Sequence, residues 1–408
     1  MRWSRSQPVA RARREACRQR ARGGHRRGRR FRFRVRRLRL PLKWRHYPCD
    51  PRDLAPDQDI RQDVMALRFT PYRNRLMNKK TIPQDTIAAL GGVGFTLLLT
   101  WLIWAMAPLL KDVPHLADSG ASWYWWQLPE RTTMGIFSAW FFYGLHQLTM
   151  WGLIFYAQRR QLQYGHTLHN VNWWALGLNA FFCLLHIAQT HIWYDGLAQH
   201  VSIWSALVSV AIMLIWVLLM ETPRRGLFFG KKPPISKSII RAAKKYHGYY
   251  FSWAIIYTFW YHPTEATWGH LLGFSYIFVL LLQGSLFFTR FHLNRQWTLL
   301  LEMWVIVHGT IVALESPHNI WGMFFFGFLG IFIITQMHGL NFTTVQKWVF
   351  TLLYLAGASV VAIQRGPLFY TELPRIALID YCGVFILAGI LWVIAKFAPV
   401  ETPSNAKD

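Results

Sequence analysis

The chain has 408 residues, of which 53% are apolar and 16% aromatic, and it carries a formal charge of +26. At this length so apolar a composition excludes an ordinary soluble domain and points to membrane spans. The charge suggests nucleic acid until it is located: residues 1–76 hold 24 of the 45 Lys and Arg but 6 of the 19 acids, so no specific nucleic-acid partner is expected for the rest of the chain.

The head, residues 1–76, contains "RARREACRQRARGGHRRGRRFRFRVRRLRLPLKWRHYPC". It has no helical period and few apolar residues, so it is expected to be disordered. An Arg-rich arm for RNA or anionic lipid, a transit peptide, and a mis-assigned start upstream of Met77 ("MNKKTIPQD") are the three readings of it. The expected division is therefore a head at 1–76, a helical bundle at 77–402 and a short cytoplasmic tail at 403–408. Cys17, Cys49, Cys183 and Cys382 show no paired spacing, so neither a disulfide framework nor a zinc ribbon is indicated. Buried free thiols are expected at Cys183 and Cys382.

A bilayer core takes about 20 apolar residues per helix. Ten such segments succeed one another, at roughly 84–110, 133–157, 172–194, 200–221, 247–262, 268–290, 296–315, 320–338, 346–364 and 376–398. The fifth has a basic lead-in, "SKSIIRAAKKYHGYY", from which the helix can start earlier. The connections after the second ("QRRQLQYGHTLHN"), fourth ("ETPRRGLFFGKKPPISKSIIRAAKKY") and sixth ("RFHLNRQ") segments, with Lys347 after the eighth, hold most of the loop Lys and Arg. Alternate connections are acidic or mixed. The positive-inside rule then places both ends of the bundle chain in the cytoplasm. Trp123, Trp125 and Trp126 on the outer side, and Trp173 and Trp174 on the inner side, read as interface anchors. The expected fold is an all-α polytopic bundle of about ten spans, in a bacterial inner membrane. Pro108, Pro263, Pro317 and Pro374 all fall at or beyond segment ends, which argues against the broken helices of inverted-repeat transporters.

With sides assigned, the polar residues sort by depth. "HIAQTHIWYDGLAQH" (186–200), "YHPTEATWGH" (261–270) and "ESPHN" (315–319) deliver imidazole and carboxylate to the outer side. His191, Asp195, His200, His262, Glu265, His270, Glu315 and His318 are the candidate ligands of a non-haem transition metal, imidazole with carboxylate suiting iron, zinc, manganese or copper. His191 and Asp195, four apart, are expected to share a helix face, the carboxylate supporting the imidazole. Tyr194, Tyr261 and Asp380 are expected at similar depth. His146, His186 and His308 lie deep within segments, where ionisable groups face the bundle interior. Two of them facing across the bundle are candidate axial ligands of a haem, with Gln147, Gln189, Gln283 and Glu302 as hydrogen-bond partners in the other case. His166, His169, His247, His292 and His338, mixed with Lys and Arg, read as headgroup or solvent contacts. HExxH, Walker A, GxSxG and GxGxxG patterns are absent.

Three functions are compatible with this pattern. The first is a metal- or haem-dependent membrane redox enzyme with an outer-side site and a lipid or quinone substrate. The second is a proton- or cation-coupled transporter or channel, and the third a scaffold or assembly subunit.

Overall fold

The computed structural model describes residues 82–397, except 118, 121–123 and 125. The head, the tail and two of the tryptophan anchors therefore lie outside the described residues. Among the described residues the chain forms ten long helices: α1 (Gln84–Met106), α2 (Thr133–Arg159), α3 (Asn170–Trp193), α4 (Ile203–Arg225), α5 (Lys237–Tyr261), α6 (Trp268–Ser285), α7 (Arg295–Glu315), α8 (Trp321–Ile334), α9 (Thr344–Arg365) and α10 (Arg375–Phe397). No strand occurs among the described residues. Among the described residues eight helical segments are long and apolar enough to cross a membrane, so the chain is a multi-pass membrane protein by length and composition. The remaining two are α2, rich in Trp, Tyr and Gln, and α5, whose first half carries the basic lead-in.

Helix starts obey local chemistry. Thr132, Ser202, Ser236, Thr267, Asn294 and Thr343 each cap the helix they precede with a side-chain oxygen. The fourth helix runs past the expected end and continues through Pro223 to Arg225. A proline in the last turn removes one backbone donor, and the helix closes regardless through Gly226 N–H to Thr222 O at 3.0 Å. This extra turn matters, because it carries Arg225 inward.

Connections gather at two opposite ends. At what we call the odd end, Leu128 N–H donates to Gln199 (3.0 Å), Tyr194 reaches Glu265, and Trp268 N–H donates to Glu315 (2.9 Å). These bonds join the first, third, fifth and seventh connections. At the even end Asp85 N–H donates to His166 O (3.0 Å), Arg290 N–H to Gly165 O (2.8 Å) and Phe229 N–H to Ile334 O (2.8 Å). The alternation of loop charge along the sequence thus corresponds to two physical ends.

Two helices form the centre. α5 packs on α2, α4, α6 and α10, while α6 packs on α1, α3, α5 and α7. One core joins Leu99, Met150, Phe182, Ile256, Trp260 and Phe274 from five helices. A second joins Leu218, Leu219, Ala243, Ile331 and Val384. Small residues permit the closest approaches: a Cβ at Gly92 would lie 2.4 Å from Leu282, and one at Gly383 2.3 Å from Ile215. α9 packs mainly on α8 and leaves Val345, Trp348, Leu353 and Ile363 exposed, as suits a lipid-facing helix.

Helices α4, α5, α6, α7, α8 and α10 contact one another in a closed sequence and all contribute to the wall of a cavity of about 1570 Å³. Most of its wall is apolar. It extends from Trp126, Glu315 and His318 at the odd end to Lys244, His292 and Arg295 at the even end.

The start of α1 is held by Asp85, which is fully buried. Its carboxylate accepts from Phe291 N–H (2.9 Å) and Thr86 N–H (2.8 Å) and pairs with His166 Nδ1 (3.2 Å). Asp85→Ala leaves the Phe291 donor unsatisfied, and a loss of about 1–3 kcal/mol is expected. Thermal unfolding in detergent checks this; a midpoint within error of wild type contradicts the assigned role.

Candidate functional site

The functional candidates concentrate at the odd end. α3 ends at Trp193 because Tyr194 adopts the left-handed conformation (φ 41°) while its N–H still donates to Thr190 O at 2.8 Å. A non-glycine residue there is strained and needs external fixing. Tyr194 Oη donates to Glu265 Oε1 and lies 2.8 Å from His115 Nε2, so a His–Tyr–Glu chain supplies that fixing. Burial and the Glu265 carboxylate push the Tyr194 phenol up, while burial lowers the His115 imidazole against the opposing pull of Glu265.

The same turn overturns the expected pairing of His191 with Asp195. Once the helix stops at Trp193, Asp195 leaves the His191 face. It is buried and gripped by Arg131 through two bonds, Nη2 to Oδ1 at 2.7 Å and Nε to Oδ2 at 3.2 Å. Arg131 also donates to His200 Nε2 (2.8 Å). His191 Nδ1 instead bonds back to Ile187 O at 2.7 Å, and its Nε2 has no partner. Arg131 carries no signal in the sequence, because nothing local to "PERTT" shows which distant acid it meets.

The deep histidines separate. His146 Nδ1 accepts from Trp260 Nε1 (3.3 Å), so its proton is on Nε2, which donates to Asn179 Oδ1 at 2.7 Å. Asn179 passes the chain on to Ser285 Oγ (2.8 Å). Both nitrogens of His146 are therefore committed, and the Trp260 ring, 4.4 Å from His186 centre to centre, fills the space beside the two histidines. This pair does not fit an axially ligated haem. His186 Nε2 donates to His262 O at 2.8 Å, and Thr190 Oγ1 accepts from Thr264 N–H at 3.1 Å. α3 thereby shapes the connection between α5 and α6. Of the four expected side-chain partners Gln189 meets a deep histidine, His186, and also donates to Ser138 and the Asp195 carbonyl; Glu302 pairs instead with Arg225, Gln283 takes Trp297, and Gln147 has none.

His308 joins a different group. It lines the cavity with His262 and His270, and it comes close to α6 because Gly273 has no side chain; a Cβ there would lie 2.7 Å from His308 Nε2. The His262 and His270 rings are 5.6 Å apart, and Trp126 meets His270 edge-on at 4.2 Å. Tyr124 Oη lies 3.3 Å from His262 Nδ1. Burial, with His308 and His186 nearby, lowers His262 to about 3.

Within this group His270 has an orientation that its partners fix. Its Nδ1 lies 3.0 Å from Thr267 Oγ1, whose hydroxyl faces Glu315 Oε2 at 3.3 Å. Since the carboxylate only accepts, the Thr267 proton points to Glu315, and His270 Nδ1–H donates to Thr267. His270 Nε2 then carries a lone pair and has no partner. Glu315 also accepts from Trp268 and Gly269 N–H (2.9 and 2.8 Å), so it caps α6. His318 lines the same cavity.

Of the expected metal ligands, the structure thus brings together His262, His270, Glu315 and His318 at the cavity, with His308 added. Glu265 is engaged by Tyr194, Asp195 and His200 by Arg131, and His191 stands apart. Among the described residues no group of three or more His, Cys, Asp or Glu is placed to hold a metal ion. Tyr261 is buried and bonds to Val201 O (2.8 Å), Asp380 lines the cavity, and of the two described cysteines Cys183 is buried but Cys382 is exposed.

Two outcomes are expected. Arg131→Ala strips a buried carboxylate of its cation and should destabilise the protein by about 3–5 kcal/mol, with Asp195→Ala partly restoring it; unfolding midpoints of the single and double variants decide. His262 is neutral when folded but protonates near 6.5 when unfolded, so the unfolded chain binds more protons between pH 6.5 and about 3. Stability should fall as pH drops through that window, by up to about 1.4 kcal/mol per unit from this residue, and His262→Phe should flatten the slope. Compared with known proteins, the chain matches no family model, no curated protein and no solved structure.

Proposed function

We propose that this is a membrane enzyme that draws a lipid- or quinone-like amphiphile into its cavity and performs acid–base chemistry on the polar end of that molecule. One observation carries the reading: three imidazoles converge at the odd end of a large apolar cavity, and one of them, His270, has an unengaged Nε2 oriented through Thr267 by Glu315. A base held in one tautomer by a second group is the arrangement that general-base catalysis needs. In this reading His270 takes the proton, His262 and His308 hydrogen-bond the reacting polar group, and Trp126 and Tyr124 wall it. His186 positions His262 through its carbonyl. Ten spans, with the basic even end in the cytoplasm of a bacterial inner membrane, complete the proposal, on the strength of the loop charges.

A proton- or cation-coupled transporter is the second reading. It is favoured by the reach of the cavity from one end to the other and by the acids Glu302 and Asp380 in its wall.

Lipid extracts of cells producing wild type, His270→Ala and Glu315→Gln test the enzyme. A lipid or quinone species should rise or fall with wild type, not at all with His270→Ala, and about 10–100-fold less with Glu315→Gln, within the usual range for general-base effects. Identical lipid profiles in all three, with proton uptake by proteoliposomes, decide for transport. Single cysteines at Ala266 and Lys231 should label from outside and inside respectively; the reverse sinks the orientation.

A further inference from the structure

The even end of the cavity has a chemistry of its own. His247 on α5 and His292, just before α7, face each other there with ring centres 6.3 Å apart. Each spends Nδ1 on a carbonyl: His247 on Lys244 O (2.7 Å) and His292 on Gln283 O (2.9 Å). A carbonyl only accepts, so both protons sit on Nδ1 and each Nε2 is left as an acceptor. Burial keeps His292 neutral by lowering it to about 4.

Lys244, Lys245 and Arg295 line the same mouth. The acids nearby are already neutralised: Glu221 by Arg224 (2.5 Å) and Glu302 by Arg225 (2.6 Å). None of Lys244, Lys245 and Arg295 has an acidic partner among the described residues, so three positive charges stand uncompensated at the entrance. Immediately behind them the wall turns apolar, with Phe251, Ile255, Leu280 and Phe287. Cations at the rim, imidazole acceptors just inside and an apolar interior beyond match the order of groups along one kind of molecule.

We propose that this mouth binds an anionic phospholipid of the phosphatidylglycerol type. The phosphodiester sits against Lys244, Lys245 and Arg295, the headgroup hydroxyls donate to His247 and His292, and an acyl chain enters the cavity. Arginine offers phosphate a planar fork and lysine a point charge, and the apolar interior gives the chain surroundings like those of the bilayer it leaves. The site is separate from the imidazole end: Arg295 and His308 lie 13 residues apart on α7, about 20 Å along the helix. It stands whether or not the enzyme reading holds.

Native mass spectrometry of the full chain, released from detergent with equal dioleoylphosphatidylglycerol and dioleoylphosphatidylcholine, tests it. One phosphatidylglycerol per chain should be retained in preference to phosphatidylcholine. The variant Lys244→Ala/Lys245→Ala/Arg295→Ala should reduce that preference by about 10–100-fold, as removing up to three cations from an anionic headgroup does. Lys231→Ala/Lys232→Ala, which removes two cations outside the cavity wall, should leave it unchanged. All these side chains are exposed, so folding is not at risk. Equal retention of the two lipids overturns the proposal, as does equal loss in the two variants, which would mean unspecific surface charge. Displacement of the lipid by millimolar inorganic phosphate overturns it too, in favour of a site for small anions.

Discussion

An imidazole or carboxylate inside an apolar bundle has no water to fall back on and must find its partners in other helices. Much of this structure depends on that constraint. His146 is satisfied only because Trp260 and Asn179 come from two other helices, and Asn179 only because Ser285 comes from a third. Such a chain locks α2, α3, α5 and α6 into one register. The polar residues of the interior are in this sense the specification of the packing, while close van der Waals contact between helices adds attraction without specificity.

Where a polar atom is left over, its position is informative. His270 Nε2 is enclosed and unpartnered, yet it borders a cavity, while its other nitrogen is tied through Thr267 to Glu315. His146, with both nitrogens committed, is structural by the same criterion. Depth in the membrane does not distinguish the two; the accounting of donors and acceptors does.

The left-handed Tyr194 shows how one backbone dihedral redistributes chemistry. It stops α3, sends the phenol to Glu265 and His115, and drops Asp195 under Arg131. The strain is offset by bonds that tie three connections together at one end. At the other end Asp85 does similar work with a single carboxylate, joining α1 to two connections. The cavity is therefore framed by two independently fastened ends, one carrying imidazoles and one carrying cations.

The helices of the described residues were legible in the sequence because eight of them are long apolar runs and α2 and α5, though more polar, lie between capping residues and polar connections, and these signals are local. Loop charge likewise sorted the connections into the two sets that the structure gathers at opposite ends. The grouping of His262, His270, Glu315 and His318 was legible in part, since alternate connections must share an end. Partnership was not. His191 and Asp195 lie four residues apart, yet one positive φ separates them; Asp195 and Arg131 lie 64 apart and bond. His308 belongs with His262 rather than His146 because Gly273 lets α7 approach α6, a property of two surfaces in contact. Spacing along a helix determines which way a side chain points, but only the packing of that helix against its neighbours decides what it meets, because the distance between helices is set by side chains far apart in the chain.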